Sequence, residues 1–170
     1  MTAREARRTG YRTVIYTDEQ SGSPGGQLAE LEINASYFDD DARERFIREV
    51  DLVTMEFENI PSAFLTALED RVPVLPGRAA LEICQNRERE KLFLRKHNIP
   101  HAAFRVVKNA ADLAAAIAEI GTPCVLKTAD FGYDGKGQQK LTGGEDPATV
   151  WAALGAPRGV LEQWVPFEKE

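Results

Sequence analysis

The sequence predicts an α/β protein in which a parallel sheet comes first and a smaller α+β region follows. Short apolar or β-branched runs alternate with helical segments over residues 1–77, which is the pattern of parallel strands joined by helices. After residue 100 the order becomes strand, helix, strand, glycine-rich loop, strand, helix and strand. The chain has 170 residues and is 43% hydrophobic, which suffices for one large domain or two small ones. We therefore predict one domain at residues 1–77 and a second at residues 78–170.

In the first region we predict three helices and four strands. Gly10 suits the position just after a helix over residues 2–9, and acidic residues in the first turn favour a helix over residues 39–49. Pro61 is well placed to begin a third helix, which ends near residue 69. Apolar and β-branched runs indicate strands at residues 13–16, 31–33, 52–55 and 72–75. Elements at this spacing predict a parallel sheet with helices on both faces.

In the second region, charged or alanine-rich helical segments alternate with short apolar runs. Helices are expected at residues 79–84, 87–96, 110–120 and 146–154. Strands are expected at residues 104–107, 123–127, 138–141 and 160–165. The middle two strands enclose the glycine-rich segment, and we expect them to pair as a hairpin.

The composition argues against several classes of function. A net charge of −6 disfavours a polyanionic partner such as nucleic acid, and no apolar run approaches the ~18 residues of a membrane span. Cys84 and Cys124 lie in apolar patterns, so we expect two reduced core cysteines, as in a cytoplasmic protein. His97 and His101 are the only histidines, and a zinc site is therefore not expected.

The glycine-rich segment has the composition of a phosphate-binding loop. Glycine lets backbone N–H groups approach phosphate oxygens, and the interleaved lysine adds a positive charge. Lys127, which ends the preceding apolar strand, adds a second cation just ahead of the loop. The residues of the loop itself are Gly132, Tyr133, Asp134, Gly135, Lys136, Gly137 and Gln138. An ordinary hairpin turn is an equally good interpretation of these residues alone, since Asp-Gly is common in such turns.

Two further constellations could carry chemistry. Glu56 and Glu58 follow a predicted parallel strand and would face the same side in extended chain, at the sheet edge where ligands bind. A solvated acidic loop explains them equally well. Arg87 opens a helix whose charge run, residues 87–91, could instead be an ordinary salt-bridged helix face.

Three stretches together resemble the ATP-grasp ligases, and more narrowly the 5-(carboxyamino)imidazole ribonucleotide synthetases, ATP-dependent carboxylases of purine biosynthesis. The stretches are the loop led by Lys127, Glu56-Phe57-Glu58-Asn59, and Asn86-Arg87 with Lys91. The resemblance covers nearly all of this chain but only part of the family's length. It implies a truncated Rossmann-like pre-ATP-grasp domain, with its parallel sheet, at residues 1–77. The first α+β subdomain of an ATP-grasp domain would follow at residues 78–170 and close over a nucleotide.

The chain departs from the family pattern at both ends. The glycine-rich loop that follows the family's first strand is absent, and Gly25-Gly26-Gln27-Leu28 resembles it in letters only. The second lobe of the family, with its Mg²⁺ ligands, would lie beyond residue 170. We therefore expect an incomplete and inactive piece that holds no metal site of its own. The full-length enzyme would be a cytoplasmic homodimer.

The resemblance implies roles for individual residues. Lys136 and Asp134 would be catalytic, and Lys136 stands where arginine is common, so it keeps the charge but loses the bidentate fork. The ribonucleotide would be bound by Glu56, Tyr133 and Asp134. ATP would be bound by Arg87, Lys127, Gly132, Tyr133, Asp134, Gly135, Lys136, Gly137, Gln138, Glu162, Gln163, Trp164, Val165 and Glu170. Without the resemblance, Glu162 would be a solvated side chain on an edge strand and Trp164 a hydrophobic anchor.

The implied reaction is carboxylation of 5-aminoimidazole ribonucleotide by bicarbonate, with ATP cleaved to ADP and phosphate through carboxyphosphate. The partners would be these small molecules, with neither nucleic acid nor membrane. A different ATP-grasp enzyme is an alternative, such as the formate-dependent glycinamide ribonucleotide transformylase or a biotin carboxylase. Those relatives carry serine-rich or all-glycine loops, which fit this sequence less well. A non-catalytic nucleotide-binding or subunit-interaction module remains a third hypothesis.

Overall fold

A computed structural model describes residues 2–18, 22–130 and 137–169. The chain divides into two compact units, Met1–Leu81 and Glu82–Glu170. Parallel pairing in the first unit and an antiparallel sheet with helices in the second confirm the predicted α/β class. Among the described residues, every helix is too short or too polar to cross a membrane.

The first unit contains one two-stranded parallel sheet. Strand β1 (Val14–Thr17) pairs with β2 (Leu31–Asn34) so that Tyr16 lies opposite Ile33. Gly10 follows the first helix with a φ of +89°, and the Asp39 side chain caps the second helix by accepting a hydrogen bond from the Ala42 backbone N–H. The elements are α1 (Thr2–Arg8), β1 (Val14–Thr17), β2 (Leu31–Asn34), α2 (Asp40–Glu49), α3 (Ser62–Glu69) and α4 (Arg78–Cys84).

Two predicted strands of the first unit are wrong. Residues 52–55 and 72–75 meet only at a single parallel bridge between Val53 and Val74. The Val53 N–H donates to the Pro73 carbonyl, and the Leu75 N–H donates to the Val53 carbonyl, both at 2.9 Å. Pro73 has no N–H group to donate toward the 52–55 segment, so the ladder cannot extend from this bridge toward residue 72.

An aromatic cluster forms the centre of the first unit's core. The Tyr16 ring centroid lies 4.8 Å from that of Phe64, 5.4 Å from that of Phe46 and 5.6 Å from that of Tyr37. The Tyr16 hydroxyl donates to the Ser36 carbonyl at 2.7 Å. Burial, together with the negative charge of Asp39, raises the pKa of this tyrosine. The cluster therefore joins β1 to α2 and α3.

The second unit contains a four-stranded antiparallel sheet, in the order β3 (Phe104–Val107), β6 (Gly159–Gln163), β4 (Cys124–Thr128) and β5 (Gln138–Leu141). Strands β4 and β5 form the expected hairpin, with Lys127 opposite Gln138. The elements are α5 (Arg87–Lys96), β3 (Phe104–Val107), α6 (Ala110–Ile120), β4 (Cys124–Thr128), β5 (Gln138–Leu141), α7 (Pro147–Leu154) and β6 (Gly159–Gln163). The bounds of α5, β3, α6 and β5 agree with those expected from the sequence.

Strand β6 differs from its prediction in two ways. It ends at Gln163, so Trp164 and Val165 lie beyond the strand. It also lies between β3 and β4 rather than at an edge, and Glu162 is only 7% exposed. The interpretation of Glu162 as a solvated side chain on an edge strand is therefore wrong.

The two faces of the second sheet have different roles. Leu126 of β4 and Leu161 of β6 pack with Leu113 of α6 and Val150 of α7 in a buried cluster. Because side chains alternate along a strand, Lys127 and Glu162 project from the opposite face, away from α6 and α7, which we call the open face although Glu162 itself is buried there. Cys124 belongs to the buried cluster and confirms its predicted place in the core.

Cys84 does not lie in the core, and that prediction is wrong. It is the last residue of α4 and is exposed, whereas Leu81 is the residue through which this short helix is buried. Cys84 and Cys124 are not joined by a disulfide.

Candidate functional site

On the open face, two lysines form ion pairs with the same carboxylate oxygen. Glu162 Oε2 lies 3.2 Å from Lys127 Nζ and 3.1 Å from Lys91 Nζ. The side chains are 27% exposed for Lys127, 13% for Lys91 and 9% for Glu162. One carboxylate offsets one of two ammonium charges, so this cluster has a net charge of +1 and favours a further anion.

Helix α5 is fixed to the end of β4 by its first residues. The Arg87 N–H donates to the Ala129 carbonyl at 2.9 Å, and Arg87 Nη1 donates to the Thr128 carbonyl at 2.8 Å. The Asn86 side chain caps the helix at the Arg89 N–H and also donates to Asp130 Oδ1 at 2.6 Å. Arg87 thus lies at the same strand end as Lys127.

Lys91 is the residue of this site to which the sequence analysis assigned no role. It follows Arg87 by four positions and so lies on the same side of α5, which carries its side chain to Glu162. In the sequence it stands within an ordinary charge run, and its partner is far along the chain. The i,i+4 spacing of Arg87 and Lys91 was the available signal, because both would reach one surface once α5 docks on β4.

The β4–β5 hairpin closes tightly at Gly137. Its φ is +68°, and a Cβ at this position would lie 2.8 Å from Thr128 Oγ1. The Thr128 N–H donates to the Gly137 carbonyl at 2.8 Å. Among the described residues, the buried Thr128 hydroxyl oxygen has no hydrogen-bond partner. Gly137 is therefore required by both backbone conformation and space.

The remaining segment expected to bind ATP, residues 163–165, lies at the other end of β4. Gln163 pairs with Cys124, whereas Val160 pairs with Lys127. The Trp164 N–H donates to the Pro123 carbonyl at 3.1 Å, and Lys140 Nζ lies 3.6 Å from the centre of the Trp164 ring. Three residue steps along β4 separate the two ends by about 10 Å. The open face therefore has cations at one end and an aromatic ring with strand-end backbone at the other.

Glu56 and Glu58 are exposed residues of the first unit, and the backbone bends at both. The extended strand that was to place them on one side is absent in this described segment, so that argument is wrong. The Glu56 carboxylate instead accepts hydrogen bonds from the backbone and side chain of Thr2. Glu56 thus lies close to the N-terminal end of α1.

Several predicted site residues lie outside the described residues. They are Gly132, Tyr133, Asp134, Gly135, Lys136 and Glu170. Of the predicted ATP set, the structure brings Arg87, Lys127, Gly137 and Gln138 to one end of β4, with Glu162 between that end and residues 163–165. Within the described ranges, no group of three or more His, Cys, Asp or Glu side chains could hold a metal ion.

Family models define the class of this protein. Residues 1–85 match the ribonucleotide synthetase pre-ATP-grasp domain, and residues 92–170 match the ATP-grasp domain. The first of these models alone spans half of the chain. This chain therefore belongs to the ribonucleotide synthetases in which a pre-ATP-grasp domain precedes an ATP-grasp domain, and the predicted family membership is confirmed.

Individual relatives make the comparison more specific. The chain is 38% identical over 172 residues to the N5-carboxyaminoimidazole ribonucleotide synthase of Brucella melitensis, covering 100% of this chain and 47% of that protein. A crystal structure of an ADP complex of an N5-carboxyaminoimidazole ribonucleotide synthetase is 40% identical, with a TM-score of 0.87 over 98% of this chain and 44% of that one. The Staphylococcus aureus enzyme complexed with ADP is 30% identical, with a TM-score of 0.88 over 99% of this chain and 45% of that one. The chain thus spans somewhat less than half the length of these relatives.

Proposed function

We propose that this chain supplies the ATP-binding part of a 5-(carboxyamino)imidazole ribonucleotide synthetase. That reaction joins bicarbonate to the amine of 5-aminoimidazole ribonucleotide, with ATP cleaved to ADP and phosphate through carboxyphosphate. The observation that carries the proposal is the positively charged cluster of Lys91, Glu162 and Lys127 on the open face. The names of the relatives and the ADP in two of their structures support it.

The geometry of β4 favours one orientation of the nucleotide. Phosphates would lie at the Lys127 end with Arg87 and the glycine loop, because cations and backbone N–H groups stabilise their charge there. Adenine would lie toward residues 163–165, with Glu162 accepting a hydrogen bond from its exocyclic amine. Glu170 would bind the ribose. We propose this orientation from the order of groups along the strand.

These residues would position ATP and neutralise the negative charge of its phosphates. Transfer of a γ-phosphoryl group spreads negative charge over its oxygens, and cations held in place stabilise that charge without rearranging. Asp134 and Lys136 are proposed as the catalytic residues, and Glu56, Tyr133 and Asp134 as ligands of the ribonucleotide. Residues 1–77 are proposed as the pre-ATP-grasp domain and residues 78–170 as part of the ATP-grasp domain.

A magnesium ion is expected in this chemistry, where it neutralises phosphate charge. Among the described residues, no group of three or more His, Cys, Asp or Glu side chains is placed to hold this ion.

We also propose that the complete enzyme is a cytoplasmic homodimer. Two cysteines that form no disulfide suit a reducing compartment. Sedimentation of the chimera described next would test the dimer.

The test is a chimera in which residues 1–170 replace the matching part of the Brucella melitensis relative. We expect phosphate release that requires both bicarbonate and 5-aminoimidazole ribonucleotide, measured with each omitted in turn. A Lys127→Met chimera is the control, because it removes a phosphate-binding cation while leaving the hairpin backbone intact. A chimera that prefers formate and glycinamide ribonucleotide would overturn the proposal. A folded chimera that binds ADP without turnover would favour the non-catalytic alternative.

A further inference from the structure

Glu162 is shared by two lysines that are held differently. Lys91 projects from α5, whose first turn is tied to β4 through Asn86 and Arg87. Lys127 lies one residue before the end of β4, next to the glycine loop, and its side chain is about twice as exposed as that of Lys91. Lys127 is therefore the one that can turn toward an incoming anion.

Glu162 cannot easily lose both partners. It is 7% exposed, and its cross-strand neighbours, Phe104 and Val125, are apolar. A carboxylate left without a cation in such surroundings is strongly disfavoured. A phosphate that recruits Lys127 would also repel the carboxylate left behind.

We infer that Lys91 is a positioning residue that keeps Glu162 charge-compensated when Lys127 turns from it to a nucleotide phosphate. The inference rests on the proposed ATP site and adds a division of labour between its two lysines. Lys91 holds the carboxylate in place, and Lys127 is released to the ligand. Lys91 thus allows Glu162 to bind adenine as a charged carboxylate while Lys127 binds phosphate.

The net charges of variants separate this role from direct phosphate binding by Lys91. In Lys91→Met, the remaining Glu162 and Lys127 form a neutral pair that an anion must break. In Lys91→Met/Glu162→Gln, the carboxylate is gone, so Lys127 is free and the net charge of +1 is restored. If Lys91 instead contacted phosphate directly, removing the carboxylate of Glu162 would not restore the phosphate affinity lost in Lys91→Met.

The experiment measures binding of ADP, inorganic tripolyphosphate and adenosine to the 170-residue chain and to the chimera by calorimetry. We expect Lys91→Met to weaken tripolyphosphate and ADP binding about tenfold, between the effects of exposed and buried ion pairs, and to change adenosine binding little. The double variant should regain most of the tripolyphosphate affinity. Lys91→Arg should retain it, and Lys96→Met, which removes the same charge from the exposed last turn of α5, should have little effect.

The outcomes distinguish this inference from the proposed function. If the unmodified proteins bind neither ADP nor tripolyphosphate, both are overturned. If they bind but Lys91→Met binds equally well, or the double variant loses as much affinity as the single, only the role of Lys91 is overturned. Melting temperatures of all variants show whether a loss of binding reflects a loss of folding.

Discussion

Glu162 determines the electrostatics of the second unit's open face. Its position in an interior strand brings it within 3.2 Å of one lysine from the neighbouring strand and 3.1 Å of another from a helix. Lys127 could be predicted from the sequence, because an apolar strand that ends in lysine before three glycines is a local pattern. The role of Lys91 could not, since its partner is brought to it only by the docking of α5.

Glu56 belongs to the first unit, and its proposed ligand is the ribonucleotide rather than ATP. In the chimera, we expect Glu56→Gln to leave ADP affinity unchanged and to raise the KM for 5-aminoimidazole ribonucleotide about tenfold, the order expected for losing one charge-assisted hydrogen bond. Calorimetry and steady-state kinetics measure the two effects.

Asp51→Asn is a matched control for Glu56→Gln, because it neutralises another exposed carboxylate a few residues away. A decrease in ADP affinity with no change in the ribonucleotide requirement would show that Glu56 has been assigned to the wrong ligand.

At the scale of elements, the β4–β5 hairpin depends on Gly137. We expect Gly137→Ala to destabilise the second unit by about 2–3 kcal/mol, because it combines a left-handed backbone with a contact between its Cβ and the Thr128 hydroxyl. Urea unfolding followed by tryptophan fluorescence measures this unit selectively, since Trp151 and Trp164 both belong to it.

Gly144→Ala is the control for the hairpin prediction. Gly144 also has a positive φ, +90°, but a Cβ there would meet no atom within 4 Å. Gly144→Ala should lower the unfolding free energy by about 1 kcal/mol, because only the left-handed backbone conformation disfavours alanine there. Equal losses for the two variants would mean that the approach to Thr128 contributes nothing.

The turn between β5 and α7 is held by Glu145. Backbone N–H groups, Thr142 first, lower the pKa of this carboxyl from 4.5 to about 2. A lowered folded pKa stabilises the protein above the unfolded value, and this contribution is lost as the pH falls from 4.5 toward 2. Glu145→Gln should therefore lower the urea midpoint at neutral pH, and the difference from the unmodified chain should narrow below about pH 4.

A midpoint difference that stays constant between neutral and acidic pH would contradict this role for the Glu145 charge. Glu168→Gln is the control, because that exposed carboxylate lies in the same unit beyond its last strand.

The elements of the second unit were the more predictable ones, for a physical reason. Helices α5 and α6 begin at asparagine caps, so local signals fix where they start. In the first unit, the runs at residues 52–55 and 72–75 have strand composition, but Pro73 removes a donor that a longer ladder between them would need. The composition of a segment does not show whether a neighbouring segment has the backbone donors and acceptors needed to pair with it.

For the whole molecule, the proposed contacts with ATP in the described residues all belong to the second unit. We expect ADP to slow amide hydrogen exchange in β4, β6 and the first turn of α5, and to leave β1 and β2 unchanged. Tripolyphosphate should protect the Lys127 end of β4 but not residues 163–165. Hydrogen exchange with mass spectrometry measures all three regions in one experiment.

Protection centred on β1 and β2 would contradict the assignment of ATP to the second unit.

The class and family of the whole chain were predictable because loop, helix start and acidic motif occur together. Their relation in space was not, because each motif is local.

The pairing of β6 with β4 also constrains how this gene can change. Leu161 faces the core and Glu162 faces the site, so the same pairing register encodes both packing and chemistry. Loss of one codon within β6 would exchange the two faces, burying a carboxylate in the core and presenting leucine to the lysines. Loss of one codon in the connection before β6, residues 155–157, would shorten a loop and leave that register unchanged. Insertions and deletions in related genes should therefore be found in the connection before Gly159 and be rare within β6, which begins at that residue.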